Sequence, residues 1–279
     1  FAVLKHAMGG RFSRKALQAL LEAGFILEAD GDTLAFSHAL VQESLYAAIP
    51  QKVRRRHHRR IGASIEAIKR DDLGHYLPNL ANHFSLAGHR ENTIHYSMKA
   101  AKRLESMLSF PEAARYWRMA VDQIGRRDDP RRWDASIHLG KTLIRTGELA
   151  QAYELALETE KSAQRKRLED VALRAVVIQF DAMDRMSDYT YLGKAYQICE
   201  MGENIPTEIR ARIVHQIGVA EYSLSHFDQA LDFFGQLSTL QLGLGNEDLV
   251  SSHVFLSSIA KTRGQFDDAL ERLEEGLIL

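Results

Sequence analysis

Three segments of the chain share one pattern and decide the fold: RTGELAQA at 145–152, LSHFDQA at 224–230 and TRGQFDDA at 262–269. Their closing alanines are separated by whole multiples of 39 residues. Stepping back by the same interval from the first of these alanines reaches Ala113, inside FPEAA at 110–114. Self-similarity at a fixed period of this size is typical of an array of helical repeats.

Two further sets of positions follow the same 39-residue step. The first set is mostly bulky and apolar: Phe110, Leu149, Phe227 and Phe266. The second set is small: Ala101, Gly140, Gly218 and Ser257. Small residues allow two helices to approach closely, and a bulky residue that begins a second helix fills the gap to the next pair. We therefore predict five antiparallel helix pairs beginning near residues 94, 133, 172, 211 and 250. The third copy matches poorly at Asp188 and Tyr191, which predicts a local irregularity.

This pattern resembles the tetratricopeptide repeat, whose minimal unit has about 34 residues. The resemblance covers residues 94–279 and implies an all-α, right-handed superhelix with a concave groove lined by the first helix of each pair. The repeat period predicts these groove-facing binding residues: Lys141, Arg145, Phe180, Arg212, His215, Gln216 and Tyr222. Their mixture of basic and aromatic groups suits a protein, an acidic or apolar peptide, or a small effector.

The first 70 residues differ from the rest in charge. They hold 12 Lys and Arg against 6 Asp and Glu, whereas the whole chain is nearly neutral at −1. Their pattern predicts a helix from Arg14 with Ser13 as its N-cap, a hairpin turning at Asp30-Gly31-Asp32, and a helix from His38. This order is typical of a winged helix that lacks its first helix. We predict this truncated module over 1–70, a docking helix and linker over 71–93, and the repeats over 94–279.

A second resemblance is carried by FSHALVQESLY at 36–46 and by RRRHHRRI at 54–61. The first stretch resembles the close of the winged-helix domain in STAND-type ATPases, which are signal-transducing NTPases. Together the two stretches are similar to bacterial members in which an ATPase precedes tetratricopeptide repeats. Those proteins are transcriptional activators, often LuxR-type, or class III nucleotide cyclases.

The resemblance implies a role for His38. The corresponding histidine contacts the β-phosphate of bound ADP, so His38 would sense the nucleotide once an upstream nucleotide-binding domain is present. ATP or ADP is thus implied for the intact protein, and no cofactor is predicted for this stretch alone. The alternative is that His38 caps or packs at the junction of strand and helix.

Other chemistry is not indicated by the sequence. No G-x-x-x-x-G-K-[ST] loop occurs. The histidines are not accompanied by cysteine or carboxylate ligands at the spacing of a metal site. Cys199, the single cysteine, is expected to pack in a helix and fits a reducing compartment. No run of 18 apolar residues exists. We therefore predict a cytoplasmic region that is not itself an enzyme, and the first residue, Phe1, suggests a fragment of a longer protein.

The basic run at 52–60 has two interpretations. It could contact nucleic-acid phosphates, or it could be the solvated face of a helix whose apolar stripe (Val53, Ile61 and Ile65) is buried. His57 and Ile68 continue the same helical spacing. The second interpretation is favoured, so direct binding of nucleic acid is not expected.

The favoured function is the regulatory, effector-binding region of a STAND ATPase that controls transcription. Two alternatives remain open at this stage. One is a stand-alone repeat adaptor that binds a protein or peptide, and the other is the non-catalytic C-terminal region of a class III adenylate or guanylate cyclase.

Overall fold

The computed structural model describes residues 1–29, 33–125, 129–240 and 245–278. These residues are mostly α-helical, with one small antiparallel hairpin. The chain divides into two compact units, Phe1–Ala135 and Ser136–Leu279. Each unit is described separately below. Within the described ranges, no helix is both long enough and apolar enough to cross a lipid bilayer.

The first unit begins with short elements around the hairpin. They are α1 (Ala2–Met8), α2 (Arg14–Glu22), β1 (Ile26–Ala29), β2 (Thr33–Phe36) and α3 (Ala39–Ala48). The Ser13 hydroxyl accepts a hydrogen bond from the Ala16 backbone N–H at 3.2 Å, which confirms the predicted N-cap. The strands pair from Ile26 opposite Phe36 to Ala29 opposite Thr33. The predicted turn, Asp30-Gly31-Asp32, lies outside the described residues.

Two longer helices follow, α4 (Gln51–Ile68) and α5 (Leu73–Ala87). They pack closely where a Cβ on Gly62 would lie 2.9 Å from the Phe84 ring. The predicted stripe of α4 is buried at Ile65 and partly buried at Val53 and Ile61. His57 and Ile68, which continue the same spacing, are exposed, whereas His58 is partly buried. A spacing of four residues advances about 40° beyond one helical turn, so repeated steps of four leave the buried face.

The described residues then form ten more helices, in the order that five consecutive pairs would require. The pairs are α6 (Arg90–Ser106) with α7 (Phe110–Ile124), α8 (Arg131–Thr146) with α9 (Leu149–Arg165), α10 (Glu169–Arg185) with α11 (Leu192–Glu200), α12 (Thr207–Ser223) with α13 (Phe227–Leu240), and α14 (Asn246–Thr262) with α15 (Phe266–Ile278). Four of the second helices begin at the residue that the 39-residue step indicates. In the third pair, α11 begins four residues late.

The small positions lie where helices approach each other. A Cβ on Gly218 would lie 2.7 Å from the Phe234 ring of α13, and one on Gly140 would lie 3.1 Å from Ile178 of α10. The recurring alanines Ala113, Ala152 and Ala230 are completely buried. The periodic small residues therefore set the spacing of neighbouring helices.

The bulky positions differ between pairs. Phe110 and Phe227 are partly buried, but Phe266 is 64% exposed. The prediction that each of these phenylalanines fills a gap to the next pair is therefore wrong for Phe266. Within the described residues, no further helix pair follows α15 to cover it.

The third pair is irregular, as its poor match predicts. Tyr191 is only 4% exposed and stacks on Phe180 at a centroid distance of 4.7 Å. Asp188 is exposed and accepts a hydrogen bond from the Thr190 backbone N–H at 3.1 Å. A large ring thus occupies the position that an alanine holds in the other pairs. The segment before α11 forms a longer connection, and α11 is shorter than its counterparts.

Candidate functional site

The first helices of the last three pairs enclose a cavity of about 310 Å³ in the second unit. Each helix contributes residues at spacings of three, four or seven, which place them on one helical face. The lining residues are Asp181, Asp184 and Arg185 of α10, Arg212, His215, Gln216 and Val219 of α12, and Asp248, Ser251 and Phe255 of α14. The repeat period relates Arg212 to Ser251 and Gln216 to Phe255.

A second cavity of about 390 Å³ shares part of this wall. Its further lining comes from Lys141, Ile144 and Arg145 of α8 and from Gly245 and Asn246 at the start of α14. Asp181, Arg185, Arg212 and Asp248 line both cavities. We call the two together the α8–α14 groove, with an inner part at His215 and an outer part at Lys141.

Arg212 organises the wall between the two parts. Its guanidinium lies 3.2 Å from a carboxylate oxygen of Asp181 and 3.6 Å from one of Asp248. The Gln216 side-chain amide donates hydrogen bonds to Asp181 at 2.5 Å and to the Val177 carbonyl at 3.0 Å. These contacts fix polar groups from three separate helices in one arrangement.

Four buried polar atoms around the inner part have no hydrogen-bond partner among the described residues. They are Asp184 Oδ1, Arg212 Nε, His215 Nε2 and Gln216 Oε1. Gln216 is only 4% exposed, so its unpaired carbonyl oxygen is nearly shielded from bulk solvent. Most buried polar groups in proteins are paired, and an unpaired one costs about 1–3 kcal/mol. The inner part is therefore lined by side chains of mixed polarity, some of whose polar atoms are buried without a partner among the described residues.

The charges of the groove are tuned by burial. Burial raises the pKa of Asp184 to about 6, and the neighbouring Asp181 carboxylate adds to this effect. Burial lowers the pKa of His215, although the carboxylates of Asp248 and Asp181 oppose the change. Desolvation along the groove, together with the charge of Arg212, lowers the pKa of Lys141. His215 is consequently neutral at pH 7, with one ring nitrogen able to donate and the other to accept.

The structure brings most of the predicted groove residues together. Lys141, Arg145 and Arg212 line the outer part, and Arg212, His215 and Gln216 line the inner part. Two predicted residues do not line either cavity. Phe180 lies in the core at 2% exposure. Tyr222 packs against the rings of Phe227 and Phe255.

The carboxylates of the groove were not predicted from the sequence. Asp181, Asp184 and Asp248 line it together with Arg185. The sequence offers one signal for them, since Asp181, Asp184 and Arg185 share a helical face. That face is distinguished from a merely solvated one only once α12 and α14 lie against it.

His38 lies at the start of α3 and is exposed. Its backbone carbonyl accepts a hydrogen bond from the Val41 N–H at 3.1 Å. Its imidazole does not cap the helix and has no partner within the part of the chain that the structure describes. The ring is therefore open to an external ligand, and its role as a phosphate sensor stays a prediction.

Comparison with known proteins shows that the fold of this chain is similar to that of a solved structure. No protein-family model matches the chain, and no curated protein matches it. Among solved structures, the chain is similar to BtubC (BKLC) from P. vanneervenii, with a TM-score of 0.51 and 16% sequence identity. The likeness covers 82% of this chain and 90% of that one. At this identity it supports a helical, repeat-like architecture and carries no information on activity.

Proposed function

We propose that this chain is the regulatory, effector-binding region of a cytoplasmic STAND-type ATPase that acts in signal transduction, as a regulator of transcription. The α8–α14 groove binds the effector, which is a protein segment, a peptide or a small molecule. The observation that carries this proposal is a cavity of about 310 Å³ lined by charged, amide and imidazole side chains from three helices.

The size and lining of the groove support such a ligand. Binding cavities for small molecules have volumes of about 300–1,000 Å³, and each part of the groove lies within this range. Phe255 and Val219 provide an apolar wall beside the polar atoms. Lys141, Arg145 and Arg185 add positive charge in the outer part, which favours an effector with an acidic group.

The N-terminal segment supports contact with an upstream nucleotide-binding domain. Large apolar side chains stand exposed around His38, among them Phe36 at 41% and Leu40 at 75%. A mostly apolar cavity of about 550 Å³ is lined by residues of α1, the hairpin, α4 and α5, and by Lys69 between the last two helices. An apolar face next to an unpartnered histidine suits a domain that carries bound ADP at its edge. ATP or ADP would belong to that domain.

Coupling between the nucleotide state sensed at His38 and effector binding in the α8–α14 groove would make the protein a switch. An effector shifts the nucleotide state only when it prefers one of two arrangements of the chain. His38 would report the nucleotide state, and the groove would report the effector.

Binding in the groove is tested by differential scanning fluorimetry of the 279-residue protein against a panel of acidic peptides and small carboxylates. A ligand should raise the melting temperature of the wild type and of Asp232→Asn, an exposed control on α13. It should fail to do so for Gln216→Leu, which removes the side-chain amide that holds Asp181 in the wall of the inner part. Equal shifts in all three proteins would place the binding outside the groove.

The ATPase part of the proposal needs the intact protein. His38→Ala there should weaken ADP binding and raise basal activity, while Glu43→Ala on the same helix serves as a control. Unchanged ADP affinity in His38→Ala would argue against the sensor role. Sequencing the native polypeptide upstream of Phe1 decides between the ATPase and its alternatives. The ATPase proposal requires a P-loop in that upstream sequence.

A further inference from the structure

A cleft in the first unit is lined by four cations of one helix. Lys52, Arg55, Arg56 and Arg59 of α4 line it together with Val53 and Ala87, and its volume is about 360 Å³. All four cationic side chains belong to exposed residues. We call this feature the α4 basic cleft.

The cations share one face of the helix. Their spacing of three, four and seven residues aligns them, and the row from Lys52 to Arg59 spans about 10 Å at 1.5 Å per residue. The other face of α4 is buried at Gly62, Ser64 and Ile65. The helix is therefore held by its apolar face, and the charged face is left available.

No counter-charge accompanies these cations. No acidic side chain lines the cleft, and none of the four cations forms an ion pair with another described residue. Five other arginines lie within 4 Å of a carboxylate: Arg90, Arg131, Arg212, Arg263 and Arg272. What distinguishes α4 is that its four cations line one cleft.

The neighbouring Arg54 adds to the positive potential, whereas the rings of His58 and His83 do not. The Arg54 guanidinium lies 4.9 Å from the centre of the Tyr46 ring, on the same helix as the cleft. The pKa of His58 is lowered by its burial and, further, by the charges of His57 and Arg54. His58 also lies 2.9 Å from the ring nitrogen of His83, so a second proton is disfavoured there.

We propose that the α4 basic cleft binds an anion that carries several closely spaced phosphate groups. Four cations within about 10 Å call for a ligand of high linear charge density. An extended acidic peptide presents one carboxylate per face about every 7 Å, whereas duplex DNA carries one phosphate per about 1.7 Å of axis. Three of the four cations are arginines, whose planar forks pair with phosphate oxygens through two hydrogen bonds.

The lining also indicates how the ligand is recognised. Val53 and Ala87 are its apolar members, so it contains no aromatic ring on which a base would stack and no large side chain that would insert into a lipid bilayer. Recognition is therefore by charge and independent of base sequence. A nucleic-acid backbone and a free polyphosphate share this chemistry.

The proposal is tested by fluorescence anisotropy of the 279-residue protein with a fluorescein-labelled DNA duplex of about 20 base pairs. Arg55→Gln/Arg59→Gln should weaken binding by roughly tenfold and lower the salt dependence by about two phosphate contacts. Arg14→Gln/Lys15→Gln removes the same charge from exposed positions on α2 and should change the affinity less than about threefold. Arg55→Lys/Arg59→Lys keeps the charge and should retain most of the binding, which separates loss of charge from misfolding.

Competitors distinguish the sources of phosphate. Displacement of the duplex by sodium tripolyphosphate would assign the cleft to compact polyphosphates, and its failure to displace would assign it to a nucleic-acid backbone. Three results would overturn the proposal: no binding of either probe at about 50 mM salt, equal loss in the α2 control, or displacement by poly-glutamate as effective as by tripolyphosphate.

Discussion

Gly218→Ala is expected to destabilise the second unit, although alanine is the better helix former. Gly218 is buried in α12, and an added Cβ would lie 2.7, 2.9 and 3.0 Å from three atoms of the Phe234 ring. Real Cβ atoms do not approach carbon this closely, so the ring or the helix must move. Phe234 cannot move easily, because it is 3% exposed and stacks on Phe255 at 5.7 Å.

The magnitude follows from two opposing effects. Overpacking of a core costs about 1–3 kcal/mol, whereas replacing a helical glycine by alanine contributes about 0.5–1 kcal/mol of stability. The net loss should be about 1–2 kcal/mol. For a unit of this size, that loss lowers the melting temperature by roughly 3–6 °C. Because Phe255 lines the groove, the substitution should also weaken any ligand bound there.

Gly235→Ala is the matched control. Gly235 lies one position beyond Phe234 in α13, and nothing would meet its added Cβ within 4 Å. It should gain stability by about 0.5–1 kcal/mol from helix propensity alone. Both variants are measured by scanning calorimetry, with hydrogen exchange in α12 and α13 to localise the change. An equal rise in melting temperature for the two variants would refute the close-packing argument.

Three further predictions concern buried polar groups and the cysteine. The folded pKa of Asp184, about 6, lies above its unfolded value, so stability should fall as the pH rises from about 4 to 7. Asp184→Asn should remove this fall and stabilise the protein at pH 7.5 by roughly 1–3 kcal/mol, with no gain at pH 4, in urea titrations. Lys194→Met deletes an ammonium 2.8 Å from the buried Glu160 carboxylate and should cost about 1–2 kcal/mol in the same assay. A loss within error would mean that the amides of Gln164 and Gln179, which donate hydrogen bonds to Glu160 at 3.1 and 2.7 Å, suffice. Burial raises the pKa of the Cys199 thiol, so iodoacetamide should modify it slowly until urea is added, and rapid labelling of the folded protein would contradict its packing.

The sequence predicted the helix pairs well because their signals are local. The starts of four second helices follow from the 39-residue step, and Gly140 and Gly218 lie at close approaches. The N-cap at Ser13 was readable because capping needs only neighbouring residues. Where the repeat pattern weakened, at Tyr191, the structure is also irregular.

Which face of a helix is buried was predicted less well than where the helix begins in the sequence. In α4, His58 rather than His57 turns inward, since its ring meets both Tyr46 and His83. Phe180 was assigned to the groove but lies in the core, where it stacks on Tyr191. In both cases a shift of about one position along the helix decides between solvent and contact, and periodicity alone does not resolve it.

The sequence by itself determined that the chain is mostly helical, with helices recurring at a fixed interval and one small hairpin, because spacing and small residues act within one repeat. Only the tertiary structure decided which polar groups meet. Arg212 pairs with Asp181 and Asp248, which come from different helices more than 30 positions away along the chain. Such contacts depend on how neighbouring helices are rotated and spaced, and no local pattern encodes that relation.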